Sequence, residues 1–320
     1  MKMEKKDVIV LNSHGVGQYA YTDHMPKWGE TLSVKKWHVA EDGGKGTNVA
    51  VALGRLGLKT AYIGKVGNDP WGDLGEKWLE DAGVDHTFMY RTDEVSTGTG
   101  LILLGPDGQN AVIDGDSSSV ALKEEEVIQA LDEMKGSQYF VTGFEVPMKI
   151  ALSGAKHAKE LGMITALNPS PLPEEDMGRL DYVDYLFINE VEAKYICQDD
   201  DEKDSKELMN KVREKYGVQN VIMTLGGDGS AALCKDEYME VASVKVENVV
   251  NTAGAGDGFM AAVIANLVWG KELKEAMEWA SKYAALSVTI DGTIPAYRPL
   301  EEVEAFISSV VVKHFCNTYG

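Results

Sequence analysis

Two glycine-rich stretches hold the residues with the most chemistry in this sequence. The later one, Asn251-Thr252-Ala253-Gly254-Ala255-Gly256-Asp257-Gly258-Phe259, opens a helical pattern that runs to Trp269. Successive small residues at a helix N-terminus expose backbone N–H groups, which is a ready anion site. A carboxylate inside such a site repels the anion, so Asp257 is a poor choice for binding alone. Two readings stand. Asp257 accepts a proton from a hydroxyl that attacks a bound phosphate, or it only caps the helix, as Asp does well. The earlier stretch, Asp42-Gly43-Gly44-Lys45-Gly46-Thr47-Asn48, leads at once into the helical Val49–Gly57. Its glycines let backbone approach a ligand, and the small residues after them let the helix sit tight on a sheet. Lys45 and Asn48 are three apart across the helix start and can both face one small polar ligand. The plainer alternative is a glycine-rich turn that merely reverses the chain.

Residues so far apart in sequence need a scaffold to meet on. Short β-branched runs at Val8–Leu11, Thr60–Ile63, Tyr139–Thr142, Ile164–Leu167, Tyr185–Ile188 and Val221–Thr224 read as buried strands. Amphipathic patterns at Thr47–Leu56, Trp71–Asp81, Lys123–Met134, Lys149–Leu161 and Lys203–Tyr216 read as the helices between them. Strands alternating with helices of this length require right-handed crossovers, hence an α/β fold with a mostly parallel sheet covered on both faces. Phe259, Val263 and Leu267 share one helical face, and Leu273, Met277, Ala280 and Ala284 another, so two helices pack near the end of the chain. Residues 14–42 and 86–116 lack helical periodicity. They are expected to form a small β-sheet lid, with Pro106-Asp107-Gly108 as a turn between two of its strands. The whole chain, 1–320, is expected to be a single catalytic α/β domain. The acidic run Asp199–Glu202 reads as a solvated loop.

Charge narrows the partners. With 51 acidic and 31 basic residues the formal net charge is −20, and a chain this acidic meets repulsion from nucleic acid and from anionic membrane surfaces. The apolar content of 44%, in periodic blocks, excludes disorder. Three scattered cysteines (Cys197, Cys234, Cys316) suit free thiols in a reducing compartment better than disulfides or a zinc site. No signal-peptide core and no run of about 18 apolar residues occurs, so a cytoplasmic protein is expected. Gly15-x-Gly17-x-x-Ala20 imitates a dinucleotide fingerprint, but Pro26 and Gly29 interrupt the helix that motif must open. No P-loop pattern occurs.

Taken together in this order, the two signatures resemble the ribokinase family of PfkB-type carbohydrate kinases, whose Gly-Gly-Lys-Gly and Gly-Ala-Gly-Asp motifs stand here as Gly43–Gly46 and Gly254–Asp257. The likeness runs from about Val8 to Ile307. It takes in Gly64–Asp69 with Gly72, Asn168-Pro169, Asn189-Glu190-Val191-Glu192 and Thr224–Gly229, and it is nearest to ribokinase-like sugar kinases. The resemblance implies a ribokinase-like fold and transfer of phosphate from ATP to a small-molecule sugar. Asp257 would be the base, and the amides of Gly254, Ala255 and Gly256 the anion hole. Gly44, Lys45, Asn48 and Glu145 would hold the sugar. Asn189 and Glu192 would serve the nucleotide phosphates and Mg2+ through water, and Thr224, Gly226 and Gly229 would border the nucleotide. A monovalent cation such as K+ would sit on carbonyls near Ile290 and Gly292 and on an Asp, but that position is Asn251 here and lacks the charge.

A second departure concerns the sugar. The carboxylate that the family places shortly after the first strand falls at Gly17, leaving His14 or Gln18 as neutral substitutes or leaving room for a bulkier substrate. Ribose is therefore not expected to be preferred. Three alternatives remain. A sugar-phosphate kinase would draw on Lys27, Lys35, Lys36 or Arg91. A nucleoside kinase would stack a base on Tyr21, Trp28, Trp37 or Phe88. A non-catalytic sensor on the same scaffold is the third. The resemblance also implies a homodimer paired through the lid.

Overall fold

The computed structural model describes residues 4–318 apart from 40, 106–109, 116 and 236. The chain begins with strands β1 (Val8–Leu11), β2 (Gly15–Tyr21) and β3 (Lys36–Val39), then α1 (Gly44–Arg55), β4 (Thr60–Gly67) and α2 (Pro70–Asp81). It continues through β5 (Asp85–Thr92), β6 (Gly98–Leu104), β7 (Asn110–Asp114), α3 (Glu124–Glu133), β8 (Tyr139–Gly143), α4 (Met148–Glu160), β9 (Ile164–Asn168) and β10 (Tyr185–Asn189). The remainder is α5 (Glu190–Cys197), α6 (Ser205–Tyr216), β11 (Asn220–Thr224), β12 (Gly229–Cys234), β13 (Glu237–Ala242), α7 (Ala255–Val268), α8 (Leu273–Ser287), the one-turn α9 (Thr293–Ala296) and α10 (Leu300–Thr318).

Nine strands form one sheet in the order β13-β12-β11-β10-β9-β8-β1-β4-β5. All its pairings from β11 to β5 are parallel, and the two that add β12 and β13 are antiparallel. Strand β1 shows why the sheet is covered on both faces. Val8 and Val10 join a core with α1, α7 and α8, whereas Ile9 and Leu11 join one with α3, α4 and α6. All four are at most 1% exposed, so the continuous apolar run is a strand buried on both sides. The direction of strand addition reverses between β1 and β8, and ligands in open α/β sheets bind at the carboxyl ends of strands flanking such a reversal.

A second sheet of four strands, ordered β3-β2-β6-β7, draws its strands from residues 15–39 and 98–114. Residues 86–92, expected to belong with it, instead lie in β5 at the edge of the large sheet, parallel to β4. The physical reason is two-sided burial: Phe88 and Met89, neighbours in sequence, enter opposite cores. Strands β6 and β7 pair antiparallel as expected, while the turn residues Pro106, Asp107 and Gly108 lie outside the described residues. In the small sheet Tyr19, Tyr21, Ile102 and Leu104 share one face by register and pack together. Gln18, Ala20, Trp37, Val39, Leu101, Leu103 and Ile113 share the other.

Candidate active site

The start of α1 rests against the ends of β1 and β8. A Cβ added to Gly46 would lie 2.3 Å from the backbone oxygen of Ser13, so only glycine lets the helix come this close. Glu145, just past β8, ties the corner together. Its Oε2 accepts the Ser13 hydroxyl at 2.6 Å and the Lys45 backbone N–H at 2.8 Å. Desolvation pushes its carboxyl up to about 7, while the nearby Lys45 charge works in the opposite direction.

Asp257 comes to the same place from the first turn of α7. Its Oδ2 accepts from Asn48 Nδ2 at 3.0 Å, and its Oδ1 lies 3.7 Å from Lys45 Nζ. Burial raises its pKa above the usual Asp range, although Lys45 and the Asn48 N–H pull it down. The Asp257 charge in turn holds the Lys45 ammonium above its ordinary pKa. The Asn48 amide is fully used: Nδ2 also donates to Asp42 Oδ1 at 3.0 Å, and Oδ1 accepts the Gly43 N–H at 3.1 Å. Asn48, expected to hold the sugar, here orients two carboxylates.

Gly254 caps α7 with φ +73°, and a Cβ there would meet the Tyr297 hydroxyl at 2.5 Å. That hydroxyl donates to the Gly254 carbonyl at 2.9 Å and so fixes the turn. The anion hole differs in detail from expectation. The Ala255 N–H donates to the Thr252 carbonyl at 3.2 Å, whereas the amides of Gly254, Gly256 and Asp257 find no acceptor among the described residues. A Cβ on Gly256 would have nothing within 4 Å, so this turn faces open space. That space continues into a cavity of about 430 Å³, bordered by Thr224, Gly226 and Gly229 with apolar walls from Val246, Phe259 and Val288. The Gly227 carbonyl on its rim accepts from Ser243 Oγ at 2.5 Å and Lys245 Nζ at 2.7 Å.

Other expected residues take different positions. His14 is a correction: it is fully buried and turned toward α2, not toward the site. Its Nε2–H donates to the Trp71 carbonyl at 3.0 Å, which leaves Nδ1 to accept from the Thr47 hydroxyl at 2.9 Å. Desolvation lowers its pKa to about 4 and keeps the ring neutral. Gln18 is a second correction, because strand alternation sets it on the face opposite Gly17 and Tyr19. Asn189 and Glu192 cap α5 reciprocally, Asn189 Oδ1 accepting the Glu192 N–H at 2.7 Å and Glu192 Oε2 accepting the Asn189 N–H at 2.8 Å. Glu192 remains close enough to Lys45 to raise its pKa.

In the loop behind α7, Asn251 Oδ1 accepts the Ala253 N–H at 2.9 Å and its Nδ2 lies 3.4 Å from Asp291 Oδ1. Lys36, from β3, pairs with Asp291 Oδ2 at 3.3 Å, between Ile290 and Gly292. Among the described residues no group of three or more His, Cys, Asp or Glu side chains is gathered to hold a metal. Sequence reasoning missed Asp42 and Ser13. Their polar side chains flank the motifs, but no spacing rule points at them.

Residues 21–299 match the family described as pfkB family carbohydrate kinase. A ribokinase from Staphylococcus aureus is 30% identical over 299 residues, covering 92% of this chain and 98% of that protein. A deoxyribokinase from Salmonella typhi is 30% identical over 309 residues, covering 94% and 99%. The structure of Arabidopsis thaliana ribokinase complexed with ribose and ATP superposes with a TM-score of 0.85 at 26% identity, covering 95% of this chain and 99% of that one.

Proposed function

Because the chain belongs to the pfkB family of carbohydrate kinases, we propose that it transfers the γ-phosphoryl group of ATP to a hydroxyl of a small sugar or polyol. The observation that carries this reading is the position of Asp257. Its buried carboxylate lies between Lys45 on one side and, on the other, unpaired helix-terminal amides that open into the 430 Å³ cavity. The acceptor hydroxyl gives its proton to Asp257 as its oxygen bonds to the γ-phosphorus, and the bond from that phosphorus to the bridging oxygen of ADP breaks. The amides of Gly254 and Gly256 and the Lys45 ammonium meet the charge on the transferring group. Desolvation of Asp257 suits a base, since it makes the carboxylate more eager for the proton. The adenine and ribose of ATP are assigned to the cavity bordered by Thr224, Gly226 and Gly229.

Mg2+ fits the donor set, because it binds through one or two carboxylates together with substrate phosphates and water. Glu192 would supply that carboxylate, using the oxygen its cap leaves over, and the ion would draw charge from the phosphates. A monovalent cation does not fit equally well. Asn251 brings an amide without charge, and Asp291 is already met by Lys36. No step is assigned to such an ion.

Of the residues named for the alternatives within the family, three cations and three aromatics are paired or placed elsewhere. Lys35 pairs with Asp23, Lys36 with Asp291 and Arg91 with Asp73 and Glu76, so these three are not free for a second phosphate. Phe88 is buried in a core of the large sheet, Trp28 is fully exposed and Trp37 lies on the outer face of the small sheet, so none of the three is placed to stack a base. A sensor would have no use for Asp257 beside open amides.

The small sheet is read as the lid over the sugar. Its outer face exposes Trp37 (54%), Val39 (44%) and Ile113 (58%) in register, a patch suited to pairing with a second copy. No helix among the described residues is long and apolar enough to cross a membrane. The free thiols of Cys197 and Cys234, together with ATP use, suit the reducing cytoplasm. The test is ATP consumption with a panel of pentoses, hexoses, polyols and nucleosides. Phosphorylation of a sugar or polyol is expected, with ribose not the best acceptor. Turnover of nucleosides alone, or of nothing, would overturn the reading.

A further inference from the structure

Asp42 stands in the sugar half of the site and is held as if for a purpose. One oxygen, Oδ1, accepts the Gly44 backbone N–H at 3.1 Å and Asn48 Nδ2 at 3.0 Å. The other, Oδ2, receives no hydrogen bond from any described residue. Asn48 Nδ2 is also 3.0 Å from Asp257 Oδ2, so the two carboxylates share one amide nitrogen and their bonded oxygens are no more than 6 Å apart. Above Asp42 runs β2, where the Gly17 N–H meets the Asp42 carbonyl at 3.4 Å. Glycine at 17 adds no side chain between that strand and the carboxylate.

We propose that Asp42 is a specificity-determining residue whose free oxygen accepts a hydrogen bond from a second hydroxyl of the acceptor, near the one that Asp257 deprotonates. This rests on the kinase reading above. A half-buried carboxylate with an open acceptor costs desolvation and repels the neighbouring base unless something donates to it. Lys45 is engaged with Asp257, and the Asn48 amide is spent. A ligand hydroxyl would supply that donor. Because Gly44 and Asn48 already fix the carboxylate, little ordering is required when the ligand arrives. The acceptor class is therefore one with at least two hydroxyls close together, a sugar or polyol, and not a simple alcohol.

The experiment measures kcat/KM for the best acceptor of the panel and for its monodeoxy analogues, each non-reacting hydroxyl removed in turn. In the wild type, one analogue should fall by about 10–100-fold, the range of a hydrogen bond to a charged group. Asp42→Asn keeps an oxygen for Gly44 and Asn48 but turns the open acceptor into a donor. It should slow the parent acceptor by a similar factor, leave that one analogue nearly unchanged and preserve ATP affinity. Gly17 lies outside the left-handed backbone region, so its backbone accepts a residue with a side chain. Asp42→Asn combined with Gly17→Asp should recover part of the lost discrimination. A loss shared equally by the parent and every analogue would mean that Asp42 only scaffolds Asn48, and the proposal would fall. Wild-type indifference to every non-reacting hydroxyl would overturn it too, whether or not the variants fold. Wild-type inactivity toward all acceptors would instead bring down the kinase reading itself.

Discussion

Four carboxylates, Asp257, Glu145, Glu192 and Asp42, act on the ammonium of Lys45, and each is restrained differently. Glu145 is held by the Lys45 backbone and Ser13, Asp42 through one oxygen by Gly44 and Asn48, and Asp257 by Asn48 beside the Lys45 ammonium, and it is Asp257 that we propose as the base. His14 makes the opposite point, because its chemistry is confined to packing. Its folded pKa of about 4 lies below its ordinary 6.5, so the unfolded chain takes up a proton that the folded chain refuses. The stability tied to its neutrality is complete above about pH 6.5 and is lost as pH falls toward 4, by about 3 kcal/mol in all. Urea denaturation at pH 7 and pH 5 should therefore show the wild type losing about 2 kcal/mol more than His14→Gln over that interval. Equal losses would mean that the folded ring takes up a proton as readily as the unfolded one. Sequence alone could not separate this buried imidazole from a ligand, since its partners at Thr47 and Trp71 lie 33 and 57 residues away.

At the scale of elements, two helix N-termini make the site, and each depends on close approach. The α1 start and the α7 start were both legible, because small residues, glycine spacing and the following periodicity all point the same way. What was not legible follows from pairing over distance. Strand β5 carries burial on both faces but no helix pattern, so only its parallel partner β4 assigns it to the large sheet. The Asn189–Glu192 pair, read as a phosphate and metal element, also forms a reciprocal cap, and a capping pattern and a ligand pattern look alike in one dimension. Gly46→Ala tests the close approach directly. Alanine favours a helix by about 1 kcal/mol over glycine, but its Cβ would collide with the Ser13 backbone. Net destabilisation of about 1–3 kcal/mol is expected, with a fall in kcat/KM as Lys45 and Asn48 shift. A melting temperature equal to or above that of the wild type would contradict the geometry.

For the molecule as a whole, the small sheet links the parts. Lys36 ties it to the loop behind α7, its inner face carries Tyr19 and Tyr21, and its outer face carries the exposed Trp37, Val39 and Ile113. A face of that kind calls for a partner, and light scattering should find the wild type dimeric, with Trp37→Asp monomeric at the same concentration. A monomeric wild type would leave the outer face without its proposed role. The net charge of −20 bears on the same scale. Global acidity argues against polyanionic partners such as nucleic acid, yet it is compatible with ATP binding, because in the proposed site helix amides, Lys45 and Mg2+ would meet the phosphates locally.

If Asp257 takes the proton of the attacking hydroxyl, Asp257→Asn should lower single-turnover phosphoryl transfer by about 10²–10⁴-fold, while calorimetry finds ATP affinity retained. A transfer rate equal to that of the wild type would mean that the hydroxyl loses its proton to another group.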